Sequence, residues 1–185
     1  YTNASRDVSL NVLTNIIFAD VLDGYWAKGF IERLYFAQVT GGCGTSPLIY
    51  CPGQAVTRAQ IAVFLLRAEH GPSYAPPAVE TSTGFNDVPS DYWAAAWIKQ
   101  LAVEGITSGC GNGNYCPASA VTRSQLAILL LRAEHGNTYT PPTATGVFTD
   151  VPTNYWAADW IEALATEGIT TGCGGGIFCP ETNVT

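Results

Sequence analysis

An internal repeat constrains the fold of this chain more than any single motif does. The complete copy runs from Phe85 to Gly136, and it begins FNDVPSDYWAAAWIKQLAVEGITSGC and ends CPASAVTRSQLAILLLRAEHG. A similar copy begins at Phe18, and a third begins at Phe148 but reaches only VT at Thr185. Because one copy is too small to bury its own apolar residues, repeats of this kind must pack their apolar faces together.

Each complete copy predicts a helix, a cysteine-closed loop and a second helix. Ser90 and Asp91 are predicted to cap a helix beginning near Tyr92, and Gly105 is a natural stop for it. Thr122 is the predicted N-cap of the second helix, which His135 and Gly136 close. Helical spacing predicts that these side chains are mostly buried: Trp26, Leu34, Leu65, Trp93, Trp97, Leu101, Leu126, Leu130, Trp156, Trp160 and Leu164.

The repeat also sets the predicted boundaries within the chain. An N-terminal segment, 1–17, matches no repeat start but carries an apolar helical stripe. The repeats follow with two Pro- and Thr-rich linkers, which we expect to be extended and exposed. The order is repeat one at 18–71, a linker at 72–84, repeat two at 85–136, a linker at 137–146, and the first half of repeat three at 147–185.

Composition excludes two broad classes of partner. The 185 residues are 47% apolar, which is ample for a core, and the net charge is −7. The chain has no basic run of the kind that nucleic acid binding rewards. It also has no apolar run long enough to predict a membrane span.

The six cysteines fall as three local pairs, each at the same place in its repeat: Cys43/Cys51, Cys110/Cys116 and Cys173/Cys179. Three disulfides are the economical interpretation, and they imply an oxidising, extracytoplasmic location. The rival interpretation is a metal site. Zinc needs four ligands, however, and no histidine lies within or close to these loops. We therefore predict no metal and no cofactor.

The repeated motifs resemble a known family. The pattern F-x-D-V-P-x-x-Y-W-A, then W-I-x-x-L-x-x-x-G-I, then V-T-R-x-Q and L-L-R-A, is similar to the surface-layer homology (SLH) repeat of bacterial cell-envelope proteins. That resemblance implies an all-α fold in which three repeats form a pseudo-threefold bundle, with the third repeat incomplete here. It also implies non-covalent attachment to a wall polysaccharide, often a pyruvylated one.

The resemblance implies a glycan site at specific positions. The ligand-binding arginines would be Arg58 and Arg123, and nothing matches the third. The aromatic and acidic neighbours would be Trp26, Trp93, Trp156, Asp20, Asp87 and Asp150. Simpler roles compete with each of these assignments: an ion pair or carbonyl contact for arginine, core packing for tryptophan, and a turn hydrogen bond for aspartate. The family's glutamate is replaced by Gln60 and Gln125.

Sequence motifs argue against an enzyme. No nucleophile elbow, phosphate loop or metal motif is present. His70 and His135 occupy equivalent helix-end positions, whereas a catalytic histidine is normally single. The favoured hypothesis is an extracellular structural protein of the bacterial surface that self-assembles into a filament or surface layer. The alternative is an SLH module that anchors a surface protein to cell-wall polysaccharide.

A homopolymer hypothesis follows from the truncated third repeat. Ser5-Arg6 resembles Thr57-Arg58, so the N-terminal segment is a candidate for the missing helix, unless the match is a coincidence. The segment would complete either the third repeat of its own molecule, giving a closed monomer, or, as we favour, the third repeat of the next molecule head-to-tail. The residues assigned to this assembly are Arg6, Val8, Val12, Leu13, Ile16, Ile17, Trp160 and Leu164, the last two expected to be exposed without the missing helix. Asn3 and Asn183 begin N-glycosylation triplets.

Overall fold

The computed structural model describes residues 18–185, which divide into two compact units, one ending at Gly53 and the other beginning at Gln54. The predictions on Asn3, Arg6, Val8, Val12, Leu13, Ile16 and Ile17 lie outside the described residues. The first unit contains helix α1 (Lys28–Phe36), followed by strands β1 (Gly44–Thr45) and β2 (Leu48–Ile49). These strands pair antiparallel, with Gly44 opposite Ile49 and Thr45 opposite Leu48.

The second unit contains four helices: α2 (Arg58–His70), α3 (Ala95–Val103), α4 (Arg123–His135) and α5 (Ala158–Thr166). Helix α2 packs against α3, α4 packs against α5, and α2 also contacts α4. The second helix of one repeat therefore packs on the first helix of the next. The packing unit is offset from the sequence repeat by one helix.

A ring of three backbone hydrogen bonds joins the V-T dipeptides of the three repeats. The N–H of Val56 donates to the carbonyl of Val184 at 2.8 Å, and the N–H of Val184 donates to Val121 at 2.8 Å. The N–H of Val121 donates to Val56 at 2.9 Å and closes the ring. Equivalent positions of three repeats thus meet at one point, from which α2 and α4 both start.

Capping boxes fix the starts of α2 and α4. The hydroxyl of Thr57 accepts the backbone N–H of Gln60, while the Gln60 side chain accepts the N–H of Thr57. Thr122 and Gln125 make the same reciprocal pair. The predicted cap at Thr122 is confirmed, and glutamine supplies the acceptor that a glutamate would supply at this position.

The all-α prediction is wrong. The described residues contain five helices of 9 or 13 residues, a two-stranded sheet and isolated β-bridges that pair Thr57 with Ala120 and Thr122 with Asn183. Helical periodicity predicts the helices but carries no signal for the extended V-T segments. Those segments make β-type hydrogen bonds because their N–H and C=O groups meet equivalent segments of other repeats.

The predicted burial of three tryptophans is also wrong. Trp26, Trp93 and Trp156 are 81%, 62% and 59% exposed. Each lies just before its helix, since α3 begins at Ala95 rather than near Tyr92, with a turn in which the N–H of Ala95 donates to the carbonyl of Tyr92. Helical spacing therefore does not apply to them.

The rest of the predicted core divides into three groups. Leu65, Leu101 and Leu164 are buried, as predicted. Trp97, Leu126, Leu130 and Trp160 are half-buried at the margins of the core clusters. Leu34, by contrast, is 41% exposed, and α1 is the only helix among the described residues of its unit.

The disulfides confirm the predicted pairing: Cys43–Cys51, Cys110–Cys116 and Cys173–Cys179. All six cysteines are paired, so no thiolate is left for a metal. Each bridge closes a short loop and restricts the unfolded chain.

Most residues of the second linker are exposed, and hydrogen bonds to α5 hold the linker in place. The buried carboxylate of Glu162 accepts the backbone N–H groups of Thr145, Gly146 and Val147 at 2.6–2.8 Å. Burial opposes ionisation, but these donors outweigh it and lower the pKa of Glu162. The N–H of Ala144 donates to the Asp159 carboxylate of α5 at 2.7 Å, and Ala144 is buried in the core cluster that α5 shares.

The exposure difference between equivalent leucines predicts a stability difference. Leu101→Ala removes a fully buried side chain and should lower the free energy of unfolding by about 2–5 kcal/mol. Leu34→Ala removes the equivalent but exposed side chain and should cost less than about 1 kcal/mol. Urea unfolding of both variants at low protein concentration measures this. Equal losses would contradict the packing described.

Candidate functional site

The disulfide loops are held by the repeated aspartates. Both carboxylate oxygens of Asp87 accept backbone N–H groups, from Tyr115 and Cys116, each at 2.7 Å. Asp20 and Asp150 make the same pair of bonds in their own repeats. Burial raises the pKa of Asp150, but the two backbone donors more than offset this and lower it. These carboxylates are used to shape the loops.

The repeated arginines join one repeat to the loop of the next. Arg58 is 5% exposed, its Nε donates to the carbonyl of Tyr115 at 2.7 Å, and its guanidinium lies 4.7 Å from the centre of the Tyr115 ring. Arg123 bonds to Phe178 in the same way, at 2.8 Å. Burial lowers the pKa of both arginines, which nevertheless remain charged in proteins.

A groove of ≈ 380 Å³ is lined mainly by the second repeat, together with Arg58 of the first repeat and Trp156 of the third. Its lining includes the side chains of Arg58, Arg132, Gln125 and Trp156, and the loop 108–110. Within the described residues, the Arg58 guanidinium hydrogen-bonds only through Nε. Two of the lining residues are cationic and none is anionic, although the whole chain carries a net charge of −7. The groove therefore offers a local site for an anion.

The loop that forms one wall of the groove depends on glycine. Gly109 has φ +93°, and a Cβ there would lie 2.3 Å from the carbonyl oxygen of Asn114. Only glycine fits this close approach of two backbone segments. The backbone of the loop segment 107–110 thus lies in the same groove as Arg58 and Arg132.

The structure brings together only part of the predicted glycan set. Arg58 and Trp156 share the groove, whereas Trp93 and Arg123 do not line it. Arg132 lines the groove but was not predicted. The sequence does contain a pattern that includes Arg132, because Arg67 and Arg132 occupy the same position in the repeated R-A-E-H-G. Locating it required knowing that α4 packs beside the loop of its own repeat.

The remaining residues singled out in the sequence make contacts that belong to the fold or lie at its surface. His70 and His135 end their helices, and each places Nε2 2.9 Å from a glutamate of the next repeat, Glu104 and Glu167. Asn183 is exposed, and its backbone pairs with Thr122. The assembly residue Leu164 is not exposed, because α4 covers α5, and Trp160 is half-buried beside Arg132.

Comparison with known proteins supports one family. The family described as S-layer homology domain matches residues 84–127 and 147–185. A "cell surface protein" of Thermoanaerobacter kivui is 33% identical over 116 residues, which are 63% of this chain and 15% of that protein. A "cellulosome-anchoring protein" of Acetivibrio thermocellus is 26% identical over 147 residues, 78% of this chain and 31% of that protein.

A third relative has an enzyme name. An "amylopullulanase" of Thermoanaerobacterium thermosulfurigenes is 30% identical over 172 residues, which cover 91% of this chain but 9% of the relative. The chain thus spans less than a third of the length of these relatives.

The aspartate bonds predict a dependence of stability on pH. Asp150→Asn exchanges an acceptor for an amide that cannot serve both N–H groups, and should cost about 1–3 kcal/mol at pH 7. Because the folded pKa is lowered, the carboxylate stabilises the fold above its ordinary pKa of about 3.9 and loses this effect as pH falls through the lowered value. The variant should therefore lose less stability than the unmutated protein between pH 5 and about 2. Parallel losses in thermal melts would contradict this role.

Proposed function

Since the chain belongs to the S-layer homology family and is an extracellular protein of the bacterial cell surface, we propose that its repeats bind an anionic polysaccharide of the cell wall. The observation that carries the proposal is the groove that joins Arg58, Arg132 and Trp156 with no acidic residue in its lining. The proposed role is attachment, not catalysis.

The chemistry of the groove suits a carboxylated sugar. Guanidinium groups bind carboxylates through paired N–H donors, and the Nη atoms of Arg58 have no hydrogen-bond partner among the described residues. The exposed indole of Trp156 supplies a flat apolar surface for a sugar ring. Arg58 is already held by Tyr115, so little side-chain freedom is lost when a ligand binds.

The name of the cellulosome-anchoring relative supports the same role, since the matched region covers 78% of this chain. The aspartates Asp20, Asp87 and Asp150 are left out of the proposed site because backbone donors occupy their oxygens. Arg132 replaces them as the second polar contact.

A binding assay with purified bacterial wall polysaccharide tests this function. Arg132→Gln and Trp156→Ala should each weaken retention at least tenfold, because each removes a direct ligand contact, a change of about 1.4 kcal/mol. Lys99→Gln and Trp93→Ala likewise remove one positive charge and one indole, but outside the groove, and should bind like the unmutated protein. A carboxylated oligosaccharide should compete, whereas a neutral one should not.

Two results would contradict the wall-binding proposal. One is an unmutated protein that is not retained on any carboxylated wall polysaccharide. The other is retention that survives both groove substitutions.

A second candidate function is self-assembly into a filament or surface layer, with copies of the chain as partners. The observation in its favour is a set of exposed large apolar side chains on and before α1, namely Leu22, Trp26, Phe30, Leu34 and Phe36. Exposed apolar side chains that cluster on a surface are typical of interaction sites. Attachment and assembly are compatible, because the groove and this surface lie in different parts of the chain.

Sedimentation velocity over a hundredfold range of concentration tests self-assembly. The expected result is a sedimentation coefficient that rises with concentration, with polymers visible by negative-stain electron microscopy. A coefficient that stays at the monomer value throughout would exclude assembly and leave the wall-binding function untouched.

A further inference from the structure

The outer face of α1 differs from the same face of α3 and α5. Leu34 is 41% exposed, whereas the equivalent Leu101 is 0% and Leu164 4% exposed. The difference has a direct cause: α2 covers α3 and α4 covers α5. In the unit of residues 18–53, α1 is the only described helix. Two copies of the arrangement thus define what normally covers this face, namely a helix that begins V-T-R.

The first disulfide loop also differs from the other two in the hydrogen bonds that its backbone carbonyls accept. In the second repeat, the carbonyls of Tyr115 and Pro117 accept Arg58 Nε at 2.7 Å and the N–H of Ala59 at 3.0 Å. In the third repeat, the carbonyls of Phe178 and Pro180 accept the equivalent donors from Arg123 and Ser124. Among the described residues, the equivalent carbonyls of Tyr50 and Pro52 receive no donor.

The sequence contains one further segment with the required pattern. Ser5-Arg6 matches Thr57-Arg58, and Val12, Leu13 and Ile16 follow the arginine at the same offsets as Phe64, Leu65 and Ala68 of α2. Resting on the proposed self-assembly, we propose that residues 6–17 of one molecule dock on α1 of a second copy, in the way that α2 docks on α3.

Chain length requires the second copy. Residues 71–84 connect the end of α2 to the partly buried Phe85, at which the next repeat begins. Residues 136–147 make the equivalent connection from α4 to Phe148. A segment the length of α2, 13 residues, that began at Arg6 would end at Phe18 itself. Phe18 is buried in its own unit against Tyr35 and Tyr50. No residues remain to return the chain over its own α1.

The docking assigns new roles to specific residues. Arg6 would take the role of Arg58, and the carbonyl of Tyr50 would accept its guanidinium as the carbonyl of Tyr115 accepts that of Arg58. Val12, Leu13 and Ile16 cover Leu34 and Phe30. The acceptor is therefore α1 rather than α5, whose face is already covered by α4. Each molecule donates one segment and offers one face, so a head-to-tail chain forms unless the rotation closes a ring.

Two variants separate donor from acceptor. Deleting residues 1–17 removes the donor, and Leu34→Glu places a charge on the exposed acceptor face. Each should be monomeric, with an assembly constant weakened at least tenfold. Val103→Glu is the matched control, since it adds the same charge at an exposed position of α3, outside unit one, and should assemble like the unmutated protein. Circular dichroism of each variant checks that the fold persists.

Mixing the two assembly-deficient variants distinguishes docking between molecules from docking within one. The Leu34→Glu chain keeps its donor segment, and the deleted chain keeps its acceptor face, so a 1:1 complex that grows no further is expected in sedimentation. Loss of this complex on adding Arg6→Glu to the donor is expected as well.

Each other outcome is decisive. If the full chain assembles and either variant also assembles, the proposed self-assembly stands and this inference is wrong. If both variants are monomeric but do not complement each other, the segment does not dock on α1 of another copy. If the full chain is a monomer that the deletion destabilises, the segment folds back within its own molecule, and both the inference and self-assembly fail.

Discussion

The ring of hydrogen bonds among Val56, Val121 and Val184 organises the larger unit of this protein. Each valine both donates to one neighbour and accepts from the other, so removing any one segment leaves a donor and an acceptor unpaired. The residue after each of the first two valines caps α2 or α4, and the residue after that is the arginine that inserts into the next loop. The ring therefore fixes where α2 and α4 begin and where the arginines enter the neighbouring loops, and it thereby positions Arg58 at the groove.

The arginines show how structural and binding roles combine in one side chain. Arg58 joins two repeats through Nε and the Tyr115 ring, and these contacts leave its terminal nitrogens at the groove. A charge that is held in place before the ligand arrives loses little entropy on binding. The same contacts explain why such an arginine is at once part of the fold and a candidate ligand contact.

The sequence was sufficient for features that depend on local order. The helix cap at Thr122 and the three disulfide pairs follow from spacing within one repeat. It was insufficient where neighbours in space are distant in sequence. The extended V-T segments find their partners only in other repeats, and the groove joins Arg58 to Arg132 across two of them. Trp93 was misassigned because the helix begins two residues after it.

The offset between repeat and packing unit affects how such a protein can be divided. A boundary drawn at Phe85, where the repeated sequence begins, separates α2 from the helix that it covers. A piece that begins instead at Val56 and continues past the loop closed by Cys116 keeps both helices, Arg58 and its carbonyl partner together. An exchange of segments between related genes would preserve the helix pairs only if the junction lay before V-T-R. Recombination junctions in proteins with this arrangement should therefore cluster there, and not at the start of the repeated sequence.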